Sequence, residues 1–127
     1  MKIFTLFLTV FGITLFFSTG VILAEEGAIQ TMARITMSLN HFPSDDDKAT
    51  LNGIIDSDDS SDEEADIAMS LANFQHEVQE KDKERLSDII DDDSSVADAR
   101  KLASIVLHIN HSPSDEDKTA LVALAAK

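Results

Sequence analysis

The sequence contains no cysteine, which rules out a disulfide framework, a lipid-bearing cysteine anchor and a cysteine nucleophile together. Core packing must therefore hold the fold, with bound ions as the one available help. The four glycines stand at none of the spacings of a phosphate-cradling loop. The GxSxG and HExxH patterns of common hydrolases and metalloproteases are absent as well. Basic residues are also scarce, ten against 24 acidic ones for a net charge of -14, and such a surface repels phosphate backbones. These absences argue against an enzyme and against a nucleic-acid partner.

What is present begins with MKIFTLFLTVFGITLFFSTGVILAEEG. One basic residue, Lys2, precedes an apolar run from Ile3 to Phe17 and a stretch ending in small residues, the order of a secretory signal peptide. Cleavage is expected after Ala24, with Ile22 two residues earlier; Ser18 with Gly20 offers a second position. The alternative is an uncleaved anchor, because residues 3–24 reach the roughly 20 residues that span a bilayer. On the favoured reading, residues 25–127 form one periplasmic or secreted domain, with no stable membrane insertion after cleavage.

Within that domain LNHFPSDDDK at 39–48 returns as INHSPSDEDK at 109–118, and a third copy lies midway at 74–83 as FQHEVQEKDK. The period is 35 without gaps. It aligns His41 with His76 and His111, Asp47 with Asp82 and Asp117, Lys48 with Lys83 and Lys118, and Leu51 with Leu86 and Leu121. Periods of about 20 to 50 residues mark arrays in which stacking completes a core that no unit closes alone. Tetratricopeptide repeats have a similar period of about 34, but their Trp, Gly and Tyr landmarks are missing here, so the likeness stops at length and helix count.

Each unit reads as two helices. In the first, Met32, Ile35, Thr36 and Leu39 stand at i, i+3, i+4 and i+7, matched by Ile67, Ser70, Leu71 and Phe74 and by Leu102, Ile105, Val106 and Ile109. The second opens at Ser44 and Ser114, whose hydroxyls suit the free amides of a first turn, with acidic residues after them. Pro43 and Pro113 end the helix before. In the middle copy Val78 and Gln79 replace Pro-Ser, so the preceding helix is expected to run further. Ser61 with Glu64 predicts a capping box. The expectation is an all-α fold of three tandem 35-residue α-hairpin repeats, near 25–58, 59–93 and 94–127. Its six helices fall near 28–41, 45–56, 62–77, 80–91, 96–111 and 114–126, in a short solenoid-like stack or a closed helical bundle.

Two groups could take up a cation. Asp56, Asp58 and Ser60 occupy the first three ligand positions of an EF-hand loop, but Ser61 replaces its turn glycine and Ile67 stands where the bidentate glutamate belongs. Only a weaker calcium site at Asp56 and Asp58 is left. Imidazoles suit zinc or copper. Neighbouring units in such stacks, however, sit a helix-packing distance of about 8–10 Å apart, too far for one ion to bridge His41, His76 and His111. That makes His108 and His111, at i and i+3, the expected metal pair. Otherwise each repeated histidine is expected to serve the last turn of its helix, with Asp47, Asp82 and Asp117 and Lys48, Lys83 and Lys118 as repeat-retained surface positions.

The functional expectation is a non-enzymatic protein-binding or scaffold module, engaging another protein, a basic one by charge complementarity, or a second copy of itself. The alternative is a divalent-cation-binding protein, with calcium at the acidic turns or zinc or copper at His108 and His111 and no other cofactor.

Overall fold

The structure, a computed structural model, describes residues 26–127. The expected signal peptide and its cleavage positions lie outside the described residues. Six helices follow one another: α1 (Ala28–Ser38), α2 (Asp45–Asp56), α3 (Asp62–Ala72), α4 (Glu80–Asp91), α5 (Ala97–His108) and α6 (Asp115–Ala125). No strand is formed among the described residues, and none of their helices is long and apolar enough to cross a membrane. The protein is all-α, and its helices pack in pairs.

Local sequence sets the helix starts. At α2, α3 and α6 the side chains of Ser44, Ser61 and Ser114 accept from the amides of Asp47, Glu64 and Asp117, and those carboxylates accept from the serine amides in return. Each box satisfies two donors that the first turn leaves free. Gln79 and Val96, the residues just before α4 and α5, make no side-chain cap.

The repeats close on themselves. Helices α1, α3 and α5 meet one another at the centre, and α2, α4 and α6 lie outside them. The most extensive packing joins α2 to α3, α4 to α5 and, across the two ends of the chain, α6 to α1. Each first helix of a repeat thus leans on the second helix of the repeat before it, and the last repeat leans on the first. Met32, Ile67 and Leu102, Ala33, Ala68 and Ala103, and Leu51, Leu86 and Leu121 are fully buried in equivalent places. Burying a leucine or isoleucine stabilises by roughly 1.5–3 kcal/mol, so these layers supply much of the hydrophobic drive. The buried alanines have no side chain beyond Cβ, which lets the three central helices approach closely.

The first helices of the repeats end earlier than their apolar stripe suggests, at Ser38, Ala72 and His108 rather than near the repeated His41, His76 and His111. The middle one does not run further for want of a proline; Asn73 still makes the helical bond to the Met69 carbonyl, and the pattern breaks at Phe74, whose amide turns to Leu71. Leu39, Phe74 and Ile109 remain buried although they have left the helix, which is why periodicity alone carries the stripe too far. The decapeptide is accordingly a loop over one end of the bundle, and the tight reversals are the inter-repeat turns after α2 and α4.

Candidate metal centre

The three loops converge on one point. His41, His76 and His111 have φ of 66°, 64° and 66°, the only positive values among non-glycine residues described. Each is the centre of a three-residue turn, pairing Asn40 with Phe42, Gln75 with Glu77 and Asn110 with Ser112. The histidine backbones then link in a one-way ring. His41 N–H donates to the His111 carbonyl at 2.7 Å, His76 N–H to that of His41 at 2.5 Å, and His111 N–H to that of His76 at 2.5 Å. First and last repeats are thereby joined directly.

The ring brings the side chains together. All three pairs of imidazole centroids are 5.1 Å apart, edge to face. One ring nitrogen from each histidine lies within 4.8 Å of the other two, and the three residues are exposed. Nδ1 of His41 is 2.6 Å from Oδ1 of Asn40, and Nδ1 of His111 meets Oδ1 of Asn110. An amide oxygen only accepts, so each contact calls for a proton on Nδ1, and in the neutral ring that tautomer leaves Nε2 as the ligand nitrogen. Gln75, one methylene longer, stands before His76 and makes no such bond among the described residues.

This arrangement has a cost that the backbone alone does not explain. A non-glycine residue held at positive φ costs about 1–3 kcal/mol, and glycine would occupy the turn most easily, although histidine, asparagine and aspartate tolerate it better than other side chains. The chain places an imidazole there three times. Its ring nitrogens form the only group of three or more His, Cys, Asp or Glu ligands within metal-binding reach among the described residues.

The other sequence candidates fall elsewhere. His108 turns back on its own helix, with Nδ1 2.7 Å from the Ser104 carbonyl, and does not join the histidine group. The spacing of about 8–10 Å expected between repeated histidines belongs to a linear stack; around a closed axis the same three positions meet. The repeated histidines also lie beyond the helix ends rather than in the last turn. Asp56 closes α2 and Asp58 follows in the turn, both exposed. Asp47 and Asp117 complete capping boxes, whereas Asp82 is fully buried, 2.6 Å from Nη1 of Arg85 and 3.2 Å from Nδ2 of Asn73. Lys83 pairs with Glu80 at 2.9 Å; Lys48 is half-buried and Lys118 exposed.

What the sequence hid was closure: the histidine column was visible, but not that its ends meet. Asn40 and Asn110 were also visible as repeated residues, though their role depends on the turn that folds each one back on the next ring. Comparison with protein-family models, curated proteins and solved structures returns no match to this chain.

Proposed function

We propose that the protein binds one divalent transition-metal ion, zinc in the first instance and copper as the nearest competitor, on the crown formed by His41, His76 and His111. The observation that carries this reading is the convergence of three imidazole nitrogens, one from each repeat, within 4.8 Å. Tetrahedral zinc with Zn–N near 2.0–2.1 Å needs nitrogens about 3.3 Å apart, and exposed side chains can close that distance by small rotations. Asn40 and Asn110 support the reading as outer partners that orient a ligand histidine and raise its basicity. A net charge of -14 draws cations toward the surface. Calcium at Asp56 and Asp58 has no comparable support.

The test is calorimetric titration of the chelator-treated protein with zinc and with copper. One ion per chain should bind, and His76→Asn should abolish binding while keeping a residue that tolerates positive φ. His108→Asn should leave binding unchanged. Undiminished uptake by the His76→Asn protein, or none by the native chain, would sink the reading.

The binding-module reading has one observation in its favour. Phe42, which follows His41 in the chain, is 60% exposed, so an apolar side chain stands open to solvent on one of the three loops. An exported acidic module with such a side chain suits a basic protein partner, and metal uptake does not compete with that role.

A further inference from the structure

Resting on the metal reading above, we infer that an ion seated on the crown keeps one coordination position facing outward and fills it with a neutral nitrogen donor, an imidazole brought by another molecule. Three nitrogens arrive from three loops at one end of the bundle, and all three histidines are exposed. Tetrahedral zinc with three protein ligands retains a fourth position. No Asp, Glu or further His among the described residues joins the group, and His108 is turned away toward Ser104. The fourth ligand therefore comes from outside, water until the incoming donor displaces it.

The surroundings select its chemistry. With 24 acidic residues against ten basic ones, the surface field opposes an anionic ligand and leaves a neutral one unhindered. The residues that follow the three histidines are Phe42, Glu77 and Ser112, all exposed. These neighbours in sequence break the threefold pattern of the crown and put an aromatic ring, a carboxylate and a hydroxyl on the three loops that carry it. A metal-bound imidazole needs an acceptor for its second N–H, and its flat ring packs well against an aromatic face. A lopsided set of neighbours on a symmetric set of ligands gives the incoming ring a preferred side.

The donor is either a free imidazole compound or the histidine of another polypeptide, and the experiment separates them. The protein is loaded with cobalt(II), loading is confirmed by calorimetry, and the visible ligand-field bands are followed during addition of imidazole, a short peptide with a single histidine, and azide. Imidazole should move the bands saturably at a concentration about tenfold below that for azide. A peptide acting below free imidazole assigns the site to a polypeptide donor, and equal action assigns it to small ligands. Phe42→Ala should weaken imidazole binding severalfold without changing cobalt affinity. Full cobalt loading with bands that imidazole does not move, or that azide moves equally well, would overturn this inference and leave the metal reading standing. Failure to take up cobalt or zinc at all would overturn both.

Discussion

The first and third copies of the decapeptide build their loop one way and the middle copy another. Ser44 and Ser114 sit in capping boxes behind buried prolines, and Asn40 and Asn110 hold the following imidazoles. The middle copy has Val78 and Gln79 with no side-chain cap, Gln75 without a hold on His76, and an aspartate driven fully inside. That aspartate, Asp82, meets Arg85, whose Nε also reaches Asp66 at 3.1 Å. Yet all three histidines share one backbone conformation and one ring spacing. Crown geometry therefore depends on the closed backbone ring and the core beneath it rather than on the capping chemistry of each loop.

The largest effects test whether the threefold core is real in energy as well as shape. Leu51, Leu86 and Leu121 are equally and fully buried, and replacing any one by alanine should cost about 2–5 kcal/mol in urea unfolding. If the junction of α6 with α1 is as firm as the others, the three costs agree closely. A much smaller cost for Leu121→Ala would mean that the ring opens at that seam. Next comes the middle repeat's own device. Arg85→Met leaves Asp82 buried without its cation, which should cost about 2–3 kcal/mol, below the usual range for buried pairs because the arginine side chain is 31% exposed. Asp117→Ala removes only a capping partner, for about 1 kcal/mol. Equal costs would erase the distinction between the copies.

Much of this was legible in the residues themselves. Period, helix number and the caps at Ser44, Ser61 and Ser114 are decided by near neighbours in sequence, and the structure has them where the pattern put them. Closure was not legible, because a 35-residue α-hairpin fits an open stack or a ring equally well. The choice lies in how closely the central helices approach, which small residues such as Ala33, Ala68 and Ala103 permit but do not announce. The site followed the same logic: three histidines separated by 35 positions become neighbours only through closure.

A third prediction sharpens the contrast at the crown. Asn40→Ala or Asn110→Ala should lower zinc affinity about 10–100-fold by freeing the ligand imidazole to turn. Gln75→Asn, which gives His76 the partner its equivalents have, should raise affinity. Both are read by competition with a chelator of known strength. A null result for the asparagines would show that the backbone ring alone orients the rings.

The smallest expected effect concerns acid, and it too divides the middle repeat from the others. Burial raises the pKa of Asp66 above the ordinary 3.8; Arg85 opposes this, and Asp62, Glu63 and Asp82 add to it. The folded chain then holds this proton more tightly than the unfolded chain, so its contribution to stability grows as pH falls toward 3.8 and is lost as pH rises through the folded value. Asp92 is shifted the other way, its carboxylate favoured by hydrogen bonds from the Ser94 hydroxyl and amide. Its contribution is present above 3.8 and is lost as pH falls below. In chelator, the melting temperature should therefore rise modestly on mild acidification and turn down below about 3.8. Relief of self-repulsion among 24 acidic groups has the same sign as the Asp66 effect, so the two are separated by Asp66→Asn. That variant should flatten the rise in part, whereas Asp92→Asn should leave the rise intact and soften the fall. Thr31 and Lys101, which occupy the place of Asp66 in the other repeats, have no carboxyl to titrate there, so a rise unchanged by Asp66→Asn would assign the whole effect to net charge.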